Sequence, residues 1–169
     1  KSLAFTDVAP LAGLVNLTDL DLTDNAVTDI SPLAGLTNLV RLYLGRSPQK
    51  TWPGQATDLA ALGAMTNLLL LNASNNNIVD LSPLTALKAK LGHLDIGYNP
   101  VGSIEPLAEL KELQTLNMPR CGLRSLAPLA GLTKVDRLRL PENAIRDISP
   151  LSGLTKLKIL HLQSNAIED

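Results

Sequence analysis

The chain is short of almost everything from which enzymes build active sites. Aromatic residues make up 2% of its 169 positions, and they amount to one tryptophan, two tyrosines and one phenylalanine. A core of this size with so few rings must be built from aliphatic side chains laid down regularly. The single cysteine, Cys121, excludes an internal disulfide framework and leaves the redox compartment open. Charge of one sign is missing too: the net charge is −1, which is no signature for nucleic acid or any other polyanion. Unbroken apolar runs are as short as Leu68–Leu71, far below the roughly 20 residues of a bilayer span, so membrane insertion is not expected. Because Lys1-Ser2-Leu3 leads straight into patterned sequence, no leader peptide is expected among these residues. No phosphate-cradling glycine loop, dinucleotide fingerprint, H-E-x-x-H or G-x-S-x-G is present.

What is there is repetition. A closing apolar residue recurs at Leu14, Leu36, Met65, Leu87, Leu110, Leu132 and Leu154, so the spacing is 22 residues except for one interval of 29 and one of 23. Each unit carries L-x-x-L-x-L-x-x-N-x-[IVL], as in LLLLNASNNNI (68–78) and VDRLRLPENAI (135–145). Alternation in Leu20-x-Leu22 is the period of a strand with one buried face. Parallel strands need a crossover, and about a dozen residues remain for it. Ser31-Pro32 fits the start of a short helical turn, serine as cap and proline in the first turn. Gly35, Gly131 and Gly153 are then expected to let the chain turn back. One such unit cannot bury its own leucines, whereas a stack of them can.

These motifs resemble the leucine-rich repeat family over essentially the whole chain. The second half of the unit, with Asp29-Ile30-Ser31-Pro32-Leu33 and Asp147-Ile148-Ser149-Pro150-Leu151 as its closest copies, resembles the 22-residue subclass of bacterial internalins. The resemblance implies an α/β fold, a right-handed horseshoe solenoid. One parallel sheet of about seven strands would lie on the concave face, with short 3-10 or helical turns on the convex face. We expect a single domain over 1–169: a partial repeat at 1–13, six full repeats over 14–154, a partial repeat at 155–169 and an insertion loop at 47–58. The resemblance also implies a structural ladder of Asn25, Asn76, Asn99, Cys121, Asn143 and Asn165, weakest at Ser47, with Cys121 an inert buried thiol. The extra residue near Lys88-Ala89-Lys90 should cost a local bulge only.

Catalysis is not expected. His93 and His161 map three strands apart, about 14 Å, too far to ligate one metal. His93 and Asp95 face the same way on one strand, but Ser74 is offset by about 13 Å along the neighbouring strand, so no nucleophile completes a triad. Asp19, Asp21 and Asp24 read as a solvated acidic face, with no geometry that fixes a cation. No metal or cofactor is expected.

Function is expected in the outward positions between the leucines. They read Asp19, Arg41, Leu70, His93, Thr115, Arg137, Ile159 in one column and Asp21, Tyr43, Asn72, Asp95, Asn117, Arg139, His161 in the next. Arg41, Tyr43, Leu70, Asn72, His93 and Asp95, with Arg46 and Tyr98 at strand ends and Asn117, Arg137 and Arg139 beyond, form a candidate partner-binding face. Their mixture of arginine, tyrosine and aliphatic residues is what protein-binding hot spots favour. Trp52, in a Trp52-Pro53-Gly54 turn on the insertion, either packs back over the flank of the next coil or projects as a recognition anchor, and Asp58 is a candidate cap for a longer helix at 59–64. Charge is graded: residues 1–84 hold four basic and seven acidic side chains, residues 85–169 eleven and nine. The expected activity is non-catalytic binding of an unidentified protein or glycan through the concave face. Resemblance to internalins favours an extracellular or cell-surface setting. An intracellular scaffold or regulatory segment, a structural spacer, and end-to-end self-association through uncapped repeats are the alternatives.

Overall fold

The structure, a computed structural model, describes residues 5–47, 56 and 58–168. Seven three-residue strands form one parallel sheet in sequence order: β1 (Asp19–Asp21), β2 (Arg41–Tyr43), β3 (Leu70–Asn72), β4 (His93–Asp95), β5 (Thr115–Asn117), β6 (Arg137–Arg139) and β7 (Ile159–His161). The central leucine of each strand stands opposite the next, Leu20, Leu42, Leu71, Leu94, Leu116, Leu138 and Leu160. Neither the 29-residue nor the 23-residue interval shifts that register, because a one-residue slip would turn every buried leucine to water. The extra residue before β4 lengthens the preceding 3-10 turn to Ser82–Leu87, six residues against five at Ser31–Gly35, and Leu91 closes it with a bond to the Leu87 carbonyl.

Each crossover is a single 3-10 turn whose leucine points inward: Leu33, Leu62, Leu84, Leu107, Leu129 and Leu151 are all buried. Together with the central leucines of β2 to β6, Ile30, Ile78, Met118 and Val135 they make one continuous aliphatic core, with Leu20 packed against it and Leu160 exposed. Dense aliphatic packing of this kind leaves no slack, and truncating a buried leucine costs about 2–5 kcal/mol.

Two expectations about the turns are corrected. Ser31 does not cap its turn; it is the first residue of the turn, and its N–H donates to Asp29 Oδ1 at 2.7 Å. The same arrangement starts the turns after Asp7, Asp58, Asp80 and Asp147, and after Ser103 and Ser125 through their hydroxyls. The residue two before the turn is therefore the cap, which Pro32 in the first turn leaves room for. Asp58 fits this pattern, yet its turn, Ala60–Ala64, has the common length of five. Nor is glycine needed to turn the chain back. Gly35, Gly131 and Gly153 have no positive φ, and Ala64 and Glu109 stand at the same place in their coils.

The left-handed backbone falls elsewhere, on the residue before the ladder position: Asp24, Asn75, Tyr98, Arg120, Glu142 and Ser164 have φ between 52° and 59°. That conformation costs an ordinary L-residue about 1 kcal/mol, less for Asn and Asp. It turns the chain sharply off the sheet and aims the next side chain back under the coil. Backbone pairing continues through it, since Asp24, Asn75, Tyr98, Arg120 and Glu142 each donate an N–H to the next coil.

Candidate functional site

At that turn the ladder asparagines serve two coils at once. The Asn99 Nδ2 group donates to Ile96 and Gly97 of its own coil at 2.9 and 3.2 Å and to Ala73 of the preceding coil at 3.0 Å. Its Oδ1 accepts the N–H groups of Asn76 and Ile78 at 3.1 and 3.0 Å. Asn143 repeats the pattern against Met118, Leu140, Pro141, Cys121 and Leu123. Asn25, Asn76 and Asn165 make the corresponding bonds with their neighbours. A planar amide with two donors and an acceptor is the side chain that can do this. Cys121 donates its thiol to the Ile96 carbonyl at 3.3 Å and approaches that of Pro119 at 3.5 Å. Burial pushes that thiol up to about 11, with Asn99 N–H opposing and the Asp95 charge adding to the rise, so the group is a weak nucleophile.

Arg46 is not on the outer face of the sheet. Its side chain is buried, 5% exposed, and Nη2 donates to the Val27 carbonyl at 2.8 Å. Equivalent carbonyls elsewhere, on Phe5, Ala56, Leu123 and Ile145, accept a backbone N–H from the next coil. Arg46 lacks the left-handed φ of its counterparts, so its side chain turns inward and its guanidinium serves that carbonyl. Burial lowers the guanidinium's proton affinity without discharging it. Beside it Ser47 donates both N–H and Oγ–H to the Asp24 carboxylate, at 2.6 and 2.8 Å. Trp52 and most of the insertion lie outside the described residues.

The outer face of the sheet follows the strand register. Tyr43, Leu70, Asn72, His93, Asp95, Asn117 and Arg139 line one shallow hollow of about 230 Å³, joined by Thr115 and floored by Leu71 and Leu94. These residues come from five adjacent strands, 2 to 6. Arg41 stands next to the hollow, half exposed to solvent and bonded through Nη1 to Asp19. That bond is the main cause lowering the Asp19 carboxyl below its usual range. Arg137 lies beyond the hollow with Nη1 3.6 Å from Asp136 Oδ1. Tyr98 does not line the hollow; it follows the end of β4, with its ring 5.7 Å from the Arg120 guanidinium, and Arg120 Nε in turn donates to Glu142 Oε2 at 2.7 Å.

Ion pairs on the surface follow the repeat. Asp19–Arg41, Glu112–Lys134, Asp136–Lys158 and Glu142–Arg120 each join residues one 22-residue period apart. Opposite charges at that separation were visible in the sequence and signal the pairing. All four pairs lie within one half of the chain, so they leave the difference between the halves standing, and each exposed pair contributes about 0–1 kcal/mol. Among the described residues no group of three or more His, Cys, Asp or Glu side chains is placed to hold a metal ion. No helix is long and apolar enough to cross a membrane.

The comparisons with known proteins agree with this architecture. A family model for leucine-rich repeats in two copies matches residues 15–54. Comparison with curated protein sequences gives no match. Among solved structures, the chain is similar to internalin C2 of Listeria monocytogenes at 34% identity and a TM-score of 0.84, over 93% of this chain and 66% of that one. An internalin F of the same organism matches at 32% identity and a TM-score of 0.63, over 98% of this chain and 60% of that one. A leucine-rich repeat protein of Leptospira interrogans matches at 25% identity and a TM-score of 0.74, over 96% and 47%. The chain therefore spans less than two thirds of the length of each of these structures. The solenoid is the fold of a protein–protein interaction module, which offers one long repetitive surface rather than a closed active site. By its repeat, its ladder and its likeness to these structures, the chain is an internalin-like leucine-rich repeat protein.

Proposed function

We propose that the chain is a non-catalytic recognition module that binds a protein partner through the concave, outward face of its sheet. The observation that carries this reading is the hollow on strands β2 to β6, where Tyr43, Leu70, His93, Asp95 and Arg139 converge. It combines an aromatic ring, an aliphatic side chain and charged groups on a backbone held rigid by pairing on both sides. Rigid anchors of that composition dominate binding energy at protein interfaces. The hollow is smaller than the roughly 300–1,000 Å³ of small-molecule sites, which suits one anchoring side chain better than a metabolite. Arg41 and Arg137 flank it, Tyr98 follows the end of β4, and all three would contact the rim of the partner. Likeness to internalins supports a cell-surface or secreted setting as part of a longer protein.

The test is quantitative capture. The immobilised chain is exposed to labelled bacterial or host cell-surface protein, and the bound species are identified and titrated. Tyr43→Ala and Leu70→Ala are expected to weaken the specific partner at least about tenfold without lowering Tm. Glu105→Ala, on the opposite side of the coil, should leave capture intact. Equal capture by all variants would refute the assignment of this face.

A further inference from the structure

One residue of the hollow carries a charge that the fold does not use. Asp21, Asn72 and Asp95 occupy the same column and do the same local job. Each accepts, at Oδ1, the N–H two residues on: Thr23 at 2.8 Å, Ser74 at 3.0 Å and Gly97 at 3.1 Å. Asn72 does it with a neutral amide, so the turn needs no carboxylate. Asp95's other oxygen accepts Asn117 Nδ2 at 2.7 Å, again a neutral donor.

Among the described residues no ion pair reaches Asp95. Arg139 lies two strands away with Asn117 between them, and its field acts only at a distance. Burial is the dominant influence and pushes the Asp95 carboxyl above the ordinary aspartate range. Asp19, Glu112, Asp136 and Glu142, by contrast, each have a cation one coil away. A half-buried carboxylate served only by neutral donors is costly to keep ionised. Asparagine would keep the turn and remove the cost. A carboxylate offers about four acceptor positions, and the protein fills two.

We infer that the hollow receives a lysine or arginine side chain of a protein partner, its cationic head against Asp95 and its aliphatic stem along Leu70 and the Tyr43 ring. The inference rests on the proposed function and specifies its chemistry. Long cationic side chains lay their stems on apolar surface and on aromatic faces; Leu70 is on the strand next to Asp95 and Tyr43 one strand beyond, in line with such a stem. A neutral sugar would be served as well by an amide at position 95 and gives no reason for the charge.

The probes are Nα-acetyl-arginine methylamide, its norleucine analogue and maltose, each titrated into the isotopically labelled protein with amide shifts as the readout. The arginine derivative is expected to move the Asp95, Gly97 and Asn117 amides saturably, in the millimolar range. Asp95→Asn should weaken it about fivefold while leaving the melting temperature unchanged or higher. The norleucine analogue should bind weakly and alike to both proteins. Equal affinity of the arginine and norleucine derivatives, no shift with arginine, or an arginine affinity indifferent to Asp95→Asn would each overturn the inference. Saturable shifts with maltose alone would overturn it in favour of a glycan. The arginine and norleucine outcomes leave the proposed function standing, and that function fails if Tyr43→Ala and Leu70→Ala leave partner capture unchanged.

Discussion

Two coils lack the ladder asparagine, and they fare differently. At Cys121 the turn survives intact: Arg120 keeps the left-handed φ of 52°, the thiol donates to the Ile96 carbonyl, and Cys121 N–H is accepted by Asn143. At Ser47 the left-handed residue is gone, the side chain bonds to Asp24 rather than under the coil, and the buried Arg46 serves the Val27 carbonyl. Both replacements are small and polar enough to donate one hydrogen bond. What separates them is the path of the chain afterwards. Following Cys121 the 22-residue period continues, whereas Ser47 opens the seven-residue insertion. The ladder is thus a property of the closed turn, and the side chain at its centre serves the turn rather than creating it.

Removing an intact rung gives the largest expected effect. Asn99→Ala strands the buried N–H groups of Asn76 and Ile78 and takes one donor from the carbonyls of Ala73 and Ile96, which keep Asn76 Nδ2 and the Cys121 thiol, and should destabilise the protein by about 3 kcal/mol in urea titration. A loss below about 1 kcal/mol would show that the rungs are redundant. Arg46→Ala comes next. It deprives the Val27 carbonyl of its guanidinium donor and should cost about 1–3 kcal/mol, with Arg46→Lys recovering only part because an ammonium lacks the fork. If the alanine variant is as stable as the parent, the comparison of the two coils loses its structural basis.

Cys121→Asn should restore the missing rung and raise stability by up to about 1 kcal/mol, read as a higher urea midpoint with unchanged slope. The unmodified thiol should react sluggishly with disulfide reagents at pH 8, since burial holds it near 11. Smallest of all is the response to Asp95→Asn. The folded carboxyl titrates above its unfolded value, so its contribution to stability is present below the unfolded pKa and lost as pH rises through the folded one. At pH 7 the ionised carboxylate therefore costs stability, and Asp95→Asn should show a slightly higher Tm that vanishes toward pH 3. The charged or titratable groups around it are His93 on its own strand, Arg139 across Asn117 and Cys121 below. The thiol should then titrate slightly lower in Asp95→Asn, because the neighbouring negative charge is gone.

Most of the architecture was legible in the leucines. Strand positions, the two outward columns and the residue opposite each residue follow from counting, and the 29-residue interval did not obscure them because the pattern resumes in phase. The hollow was half legible: its members could be named from alternation, but not that Tyr43 to Arg139 line one depression, nor that Asn117 holds Asp95. Arg46 was misplaced because alternation assumes an extended chain, and the chain leaves the sheet there. The caps were misassigned by two residues, since Ser31-Pro32 looks like a helix start and Asp29 lies just outside it. The left-handed positions carried a mixed signal: Asp24, Asn75 and Ser164 suit them, but Tyr98, Arg120 and Glu142 do not.

By itself the sequence determined the period, the register and the inward face, because burial of an aliphatic side chain within the stack follows its place in the repeat, and only the outermost coils expose theirs, as at Leu14 and Leu160. Only the tertiary structure decided which outward charges are already paired, which arginine is inside, and which carboxylate is left with neutral donors. Those depend on the distance between neighbouring coils and on the local dihedral angles, and single-sequence periodicity contains neither.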